Sequence, residues 1–245
     1  MSLETALLQT TRFQRLIHVE SCDSTQALAE QSESDGWSVF WSDHQSAGRG
    51  REGRAWHDSP AEDIAATFHI PDLELRSPTH LAAAIPVAAI ESIASIVPET
   101  RIKWPNDLLL HGRKLCGVLI DSHVKTQNTY SIGIGMNINR SSFPSELTEQ
   151  STSLALATGR EFDRAERVLH LAQAIDKVIA QITAGDLGPL AATFAARLGL
   201  SGQRVQAVAG DRTVTGILTA LDLDRVVIDE REEISLAHLR GLSAI

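Results

Sequence analysis

The apolar positions of this chain follow two different periods, which predicts a mixture of helices and strands. Helices are predicted over four segments: Ser24–Gln31, Thr79–Val97, Arg164–Ala184 and Pro189–Leu198. The third of these is the clearest, because one apolar stripe starts after a capping Asp163 and stops at Gly185. The segment from Thr79 is apolar on all sides, so we expect a buried helix that kinks or restarts at Pro86.

Short apolar runs bounded by turn residues predict strands. They lie at Arg15–Val19, Trp37–Trp41, Arg101–Trp104, Leu108–Leu110, Lys114–Asp121 and Tyr130–Asn137. His111-Gly112 is predicted to be a hairpin turn, and the short connections indicate antiparallel neighbours, because parallel strands need long crossovers. The sequence therefore predicts an α+β fold, with a mixed, largely antiparallel central sheet flanked by helices.

The pattern of apolar residues changes after Gly199. Valines and isoleucines stand there in short runs separated by Gly210-Asp211 and Asp222–Asp224. That pattern is typical of strand–turn–strand structure, and about 45 residues are too few for a robust independent core. We expect residues 1–198 to form the main domain and residues 199–245 a small β-barrel-like domain packed on it.

Composition narrows the class of protein. The chain has 245 residues, a formal net charge of −9 and 43% hydrophobic residues, as in soluble globular proteins. Its acidity argues against broad nucleic-acid binding, and the absence of an apolar signal core or a long apolar stretch predicts a cytoplasmic protein without a membrane segment. The cysteines and histidines show no metal-ligand spacing, so we expect no metal held by the protein itself, while Mg²⁺ carried by a nucleotide stays open.

The most distinctive segment is residues 44–56, which we call the Gly/Arg loop. It holds three glycines, three arginines and Trp56, and is basic within an acidic chain, so it predicts a site for a small anion. Gly48, Gly50 and Gly53 also fit the dinucleotide fingerprint G-x-G-x-x-G. We disfavour that interpretation, because a polar spacer precedes the glycines and no helical repeat follows them.

Four further motifs carry candidate chemistry. Asp23-Ser24-Thr25-Gln26 either caps a helix or faces a pocket. Lys103-Trp104-Pro105-Asn106-Asp107 places a cation, an amide and a carboxylate at a strand end, although a plain turn is an alternative. Lys114 enters a buried strand, which is costly unless it meets an anion, and Gly117 indicates close approach of a ligand or backbone. Glycines that indicate close approach recur in the next predicted strand, at Gly133-Ile134-Gly135-Met136-Asn137.

Together these motifs resemble those of the biotin protein ligase family. The matching stretches are Asp-Ser-Thr-Gln at 23–26, Gln-Ser-Ala-Gly-Arg-Gly-Arg-Glu-Gly-Arg-Ala-Trp at 45–56, Lys-Trp-Pro-Asn-Asp at 103–107, Arg-Lys-Leu-Cys-Gly at 113–117 and Gly-Ile-Gly-Met-Asn at 133–137. Their order and spacing agree, and the resemblance covers nearly the whole chain. It implies the class II synthetase-like catalytic fold of biotin and lipoate ligases, with a small C-terminal SH3-like β-barrel.

The resemblance also implies an activity. Such ligases activate biotin with ATP as biotinyl-5′-AMP and transfer it to a lysine of a biotin carboxyl carrier domain of a carboxylase. ATP, biotin and Mg²⁺ carried with ATP would be the small-molecule requirements, and the protein would be a monomer or a homodimer. Because about 20 residues precede Asp23, too few for a helix-turn-helix domain, we expect a single-function ligase that does not bind DNA. A lipoate–protein ligase and a non-catalytic biotin or adenylate sensor are the alternatives.

Site residues follow from the same resemblance. The biotin-binding set is Ser24, Thr25, Gln26, Gln45, Arg49, Gly50, Arg51, Lys114 and Gly117. The ATP- and adenylate-binding set is Gly48, Arg49, Arg51, Arg54, Trp56, Lys103, Asn106 and Asn137. The catalytic set is Arg51, Lys114 and Asp107, with Asp107 orienting the incoming lysine or the metal. The chain departs from the family at Glu52, where a basic residue is frequent, at Ala61–Ile64, and at Gln26, where asparagine is common.

Overall fold

The computed structural model describes residues 2–32, 35–122 and 128–245. Its main sheet has seven strands: β1 (Arg15–Val19), β2 (Ser38–Ser42), β3 (Ile64–Ile70), β4 (Arg101–Lys103), β5 (Asp107–Leu110), β6 (Arg113–Ser122) and β7 (Tyr130–Met136). Their spatial order is β1-β2-β3-β7-β6-β5-β4. Strands β1 and β2 pair in parallel, and the other neighbouring pairs of this sheet are antiparallel. The sheet is therefore mixed and largely antiparallel, as predicted.

In the described ranges, six α-helices accompany the sheet: α1 (Leu3–Thr10), α2 (Thr25–Glu30), α3 (Thr79–Glu91), α4 (Leu154–Thr158), α5 (Arg164–Ala184) and α6 (Gly188–Leu198). Helices α3 and α5 pack against each other and against the sheet, while the short α2 lies on β2, β3 and β7. Strand side chains alternate between faces. On β7, Ile132 and Ile134 enter the core. The glycines that alternate with them, Gly133 and Gly135, leave room on the other face for side chains from outside the sheet.

A second, five-stranded sheet follows: β8 (Arg204–Ala209), β9 (Arg212–Leu221), β10 (Arg225–Ile228), β11 (Glu232–Ser235) and β12 (Leu239–Ala244). Its order is β11-β10-β9-β8-β12, with antiparallel pairing throughout. Hydrogen bonds to earlier parts of the chain help to hold this sheet in place. Trp104 Nε1 donates to the carbonyl of Leu239 at 2.8 Å, and His80 Nε2 lies 2.8 Å from Asp224 Oδ1.

The structure confirms the α+β fold class, and several element bounds agree with the sequence. Helix α5 has the predicted ends, with Asp163 accepting from the first turn. His111 and Gly112 have φ of 49° and 78°, as a two-residue hairpin turn requires. The helix predicted to reach Val97 instead ends at Glu91 and runs through Pro86 without interruption. The chain continues in turns, where Ile93 and Val97 are buried, so the apolar residues of this segment indicate burial and not a helix.

Strand β3 and helices α1 and α4 were not predicted. β3 is buried along its whole length, so its sequence lacks the apolar–polar alternation that marks a half-exposed strand. Within the described ranges, no helix is long and apolar enough to cross a membrane.

Candidate active site

A cavity of about 280 Å³ lies over the middle of β6 and β7, between the start of α2 and the Gly/Arg loop. It collects most of the predicted site residues. Those that line it are Ser24, Thr25, Gln26, Gln45, Arg49, Gly50, Arg51, Arg54, Trp56, Asn106, Lys114 and Gly117. Gly133 and Gly135 also line it, so residues from five separate motifs meet at one place. They meet because β6 and β7 are neighbours and the Gly/Arg loop folds back over them.

The Gly/Arg loop is a narrow hairpin. Gly50 N donates to the carbonyl of Arg54 at 2.7 Å, and Trp56 N donates to that of Gly48 at 2.9 Å. A Cβ on Gly48 would stand 2.5 Å from the Trp56 carbonyl oxygen, so the close approach of the two arms requires glycine there. At the tip, Glu52 has a φ of 57°, an uncommon left-handed conformation for a residue with a side chain.

The Trp56 indole rests on a glycine platform. Gly117 and Gly135 are paired in register across β6 and β7. A Cβ on Gly135 would lie 2.3 Å from Trp56 Cε2, and one on Gly117 would lie 3.2 Å from Cζ3. Within the described part of the chain, Trp56 Nε1 is buried without a hydrogen-bond partner. Because buried donors are almost always bonded, this N–H is available to a ligand.

Lys114 lies at the mouth of the cavity beside Asp107. Its Nζ is 2.6 Å from Asp107 Oδ1 and 5.7 Å from the centroid of the Trp56 ring. The side chain is about one-third exposed, so the ammonium is accessible to an anion. Its backbone is fixed on both sides, since Lys114 N donates to the Gln150 carbonyl and the Lys114 carbonyl accepts from Thr152 N. The structure thus brings two predicted catalytic residues, Lys114 and Asp107, into contact.

Cys116 follows Lys114 by two residues but offers no nucleophile. Its side chain points into the core and is fully buried, and burial raises the pKa of the thiol well above its ordinary value. The group stays a thiol at neutral pH, whereas a nucleophilic cysteine reacts as the thiolate.

The opposite end of the cavity is polar, and its hydrogen bonds have fixed directions. Gln45 Oε1 accepts from Thr25 N at 2.8 Å and from Thr25 Oγ1 at 3.2 Å. Because the amide oxygen faces Thr25, the two Nε2 hydrogens of Gln45 remain for the cavity. Ser24 Oγ accepts from Gln26 N at 3.3 Å and also lines the cavity. Both interpretations of this motif therefore hold, since Ser24 caps α2 and also faces the pocket.

A larger groove of about 1150 Å³ continues from this cavity. Both spaces are lined by Arg49, Gly50 and Arg51. The groove extends past Trp104–Asn106 to Leu236–Leu239, so the C-terminal sheet supplies part of its wall. Gly48, predicted to bind nucleotide, lines this groove.

Two predicted nucleotide contacts lie outside both cavities. Lys103 is exposed at the end of β4. Asn137 is buried, and its Nδ2 donates to the Thr152 carbonyl at 2.9 Å and to the Lys114 carbonyl at 3.3 Å. Its amide nitrogen thus connects the backbone of Lys114 to the backbone of Thr152. Direct contact of either residue with a nucleotide stays a prediction.

Sequence reasoning missed several residues of the site. Leu147 and Gln150 line the cavity from a segment that carries no motif. Asp58 Oδ2 accepts from Gln45 N at 2.9 Å and so holds the base of the Gly/Arg loop. Asp63, in the divergent Ala61–Ile64 stretch, forms a buried ion pair with Arg140 at 2.6 Å. Desolvation raises the pKa of its carboxyl, although the charge of Arg140 acts to lower it. Only tertiary contacts single these residues out.

No group of three or more metal-ligating histidine, cysteine, aspartate or glutamate side chains occurs in the ranges that the structure describes. The cations at the site are the side chains of Lys114 and the loop arginines.

Comparison with known proteins decides the family. The model of the biotin/lipoate A/B protein ligase family matches residues 19–139. A biotin–[acetyl-CoA-carboxylase] ligase of Mycobacterium tuberculosis is 30% identical over 191 residues, which cover 75% of this chain and 70% of that protein. The chain belongs to the biotin/lipoate A/B protein ligase family.

Other members of the family extend the comparison. The bifunctional ligase/repressor BirA of Bacillus spizizenii is 38% identical over 176 residues, or 67% of this chain, but the match covers 53% of that protein. The chain thus spans about half the length of this relative. The structure of the Aquifex aeolicus biotin protein ligase in complex with biotin and ATP superimposes with a TM-score of 0.81 at 24% identity, covering 95% of this chain and 100% of that one. This similarity confirms the family fold, in which the cavity on β6 and β7 is the candidate active site.

Proposed function

We propose that this family member is an ATP-dependent ligase that activates biotin as biotinyl-5′-AMP and transfers it to a lysine of a biotin carboxyl carrier domain. One observation carries the proposal: a single cavity has a polar end with directed hydrogen bonds and a cationic mouth formed by Lys114, Arg49 and Arg51. An acid with a polar head group and an anionic tail fits such a cavity. Relatives named as biotin ligases, and a related structure that contains biotin and ATP, support this choice of substrates.

The polar end favours biotin over lipoate. Gln45 presents two N–H donors, and Ser24 presents a hydroxyl, toward the cavity. A cyclic urea supplies a carbonyl that accepts such donors and two N–H groups that need acceptors. The dithiolane ring of lipoate supplies neither, so these buried polar groups would lose their water without gaining partners, at a cost of about 1–3 kcal/mol each.

The first chemical step joins two anions. The biotin carboxylate attacks the α-phosphorus of ATP, the bond to the β-phosphate breaks, and pyrophosphate leaves with the electron pair. Lys114 is placed to reduce the repulsion between carboxylate and phosphate, and Arg51 supplies a second cation at the same mouth. Mg²⁺ enters with ATP as part of the substrate. Catalysis of this step rests on positioning and charge and requires no covalent enzyme intermediate.

The nucleotide is assigned to the larger groove, which adjoins the cationic mouth. Arg54 and Asn106 line both spaces. Trp56 lines the smaller cavity and offers the ligand its ring and its Nε1–H, which has no partner among the described residues. Closure of the Gly/Arg loop over the adenylate would keep water from hydrolysing the mixed anhydride.

In the second step the carrier lysine amine attacks the biotinyl carbonyl, an amide bond forms, and AMP leaves. Asp107 orients the incoming amine in this proposal, since its carboxylate already holds an ammonium, that of Lys114, which lines the cavity. The carrier domain of a biotin-dependent carboxylase is the proposed partner, in keeping with the name of the Mycobacterium tuberculosis relative.

The deciding experiment incubates the protein with biotin, Mg-ATP and a carrier domain and then determines the carrier mass. We expect the mass to increase by one biotinyl group, and a carrier whose acceptor lysine is replaced by arginine should stay unmodified. An unmodified wild-type carrier, with a known ligase as positive control, would reject the ligase proposal. Calorimetry with biotin and with lipoate separates the two substrates, and binding of lipoate alone would reject biotin.

A further inference from the structure

A buried ion pair holds the chain directly after the Gly/Arg loop. Asp63 Oδ2 and Arg140 Nη2 are 2.6 Å apart, and the two side chains are 1% and 5% exposed. Arg140 Nη2 also donates to the carbonyl of His57 at 2.8 Å. Asp63 Oδ2 also accepts from Ser59 N at 2.8 Å. Because Nη2 carries two hydrogens and a carboxylate oxygen has two lone pairs, these contacts form together. The pair thus fixes two backbone groups that follow Trp56.

The pair is anchored on the strand that carries the glycine platform. Asp63 Oδ1 accepts from Ile138 N at 3.2 Å, just beyond the end of β7. Gly135, on which the Trp56 indole rests, lies near the end of the same strand. β7 and the residues after it therefore support the indole through Gly135 and hold the backbone of the following residue through Arg140.

Stability does not account for these two buried charges. Desolvation raises the pKa of Asp63 although the charge of Arg140 acts to lower it, so ionisation of this carboxyl costs stability. Replacement of a buried ion pair by uncharged residues of similar size is often neutral or stabilising, whereas removal of one partner leaves an unpaired buried charge. The geometry gives the pair another role, because both side chains hold the chain that leaves Trp56.

We propose that Arg140, oriented by Asp63, is a positioning residue for adenylation, which fixes the chain after Trp56 and so keeps the indole in place over β6 and β7. Both side chains lie outside the cavity and the groove, so they act through Trp56. Because Trp56 lines the cavity, a shift of the chain at His57 would move part of the cavity wall. The inference rests on the proposed function, since it concerns the same adenylation site.

The test removes both charges together. The variant Asp63→Asn/Arg140→Met, which we call the neutral pair, keeps the size of the side chains and leaves no unpaired buried charge. Arg140→Lys retains a nitrogen that can contact both Asp63 and the His57 carbonyl, because an ammonium has three hydrogens. The matched control is Arg12→Met/Asp176→Asn. Arg12 and Asp176 form an ion pair at 2.6 Å with an additional guanidinium-to-carbonyl hydrogen bond, and they lie outside the cavity and the groove.

Single-turnover release of pyrophosphate at saturating biotin and ATP gives the adenylation rate, and calorimetry gives the Kd of biotin. We expect the neutral pair to slow adenylation about tenfold, the size of one hydrogen bond to a charged group, with the Kd of biotin within about twofold. Arg140→Lys should restore most of the rate, and the control should keep the wild-type rate. In a Trp56→Ala background the neutral pair should cost little more, because its effect passes through the indole.

A wild-type rate in the neutral pair, an equal loss in the control, or an undiminished loss in the Trp56→Ala background would each overturn the inference. A neutral pair that no longer binds biotin would also overturn it, because the ion pair would then be needed for the fold. If the wild-type protein released no pyrophosphate with biotin and ATP, the proposed function itself would be rejected, so the two failures are distinguishable.

Discussion

The glycine platform under Trp56 gives a prediction whose size follows from distances. In Gly135→Ala, the new Cβ would stand 2.3 Å from Trp56 Cε2, whereas ordinary contact begins at 3.4 Å. The indole must therefore move by at least about 1.1 Å, because the backbone of Gly135 is held on both sides by pairing of β7 with β3 and β6. Misplacement of a positioning group by about 1 Å costs up to about 100-fold in rate. We expect adenylate formation to slow by about that factor.

Gly117→Ala serves as the graded partner of this change. Its Cβ would lie 3.2 Å from the same ring, which demands a shift of a few tenths of an ångström. A loss of a few-fold is expected there. Both variants should unfold within a few degrees of the wild type, because Trp56 is only partly buried on a loop.

Single-turnover release of pyrophosphate measures the rate, and circular dichroism measures the unfolding temperature. The reasoning also requires non-additivity, because both glycines act through one indole. In a Trp56→Ala background, Gly135→Ala should cost little more. The platform would be refuted if Gly135→Ala formed the adenylate at the wild-type rate. It would also be refuted if Gly135→Ala lowered the rate as much in the Trp56→Ala background as in the wild type.

Three further predictions concern the surroundings of the site. Lys114→Ala should slow adenylate formation by about 10²–10³-fold with little change in unfolding temperature, and wild-type turnover in a pyrophosphate-release assay would show that the cation is misplaced. Asn137→Ala should lower kcat for adenylation more than it raises the KM for ATP, because the amide holds the Lys114 carbonyl; a change in the KM for ATP alone would favour a nucleotide contact. Trp104→Phe should destabilise the protein by about 1–3 kcal/mol in urea unfolding, since the buried Leu239 carbonyl loses its donor, and an unchanged midpoint would contradict this role.

Many of the residues that line the cavity could be named from the sequence, because they are concentrated in short motifs. The arginines and glycines of the Gly/Arg loop, and Lys114 at the start of β6, stand out from their neighbours in charge or in lack of a side chain. A buried cation needs an anion, and a glycine in a strand indicates close approach, so these residues point to an anionic ligand wherever they come together. The structure places them around one cavity.

The buried supporting residues were not predictable, for the same physical reason. Asp58, after the Gly/Arg loop, and Asp63, in a divergent stretch, have no local pattern that marks them. Their roles depend on partners distant in sequence, at Gln45 and Arg140. Asn137 was predicted as a nucleotide contact, yet its side-chain nitrogen bonds the Lys114 and Thr152 carbonyls, which only the pairing of distant segments makes possible.

The sequence by itself determined the fold class, most helix and strand positions and the chemistry of the motifs, because periodicity, charge and glycine content act locally. The tertiary structure decided where the apolar segment after Glu91 stops being helical, that β3 is a central strand, and which way the hydrogen bonds at the cavity run. Those outcomes depend on burial and on long-range partners. A residue's own sequence neighbours fix neither of these.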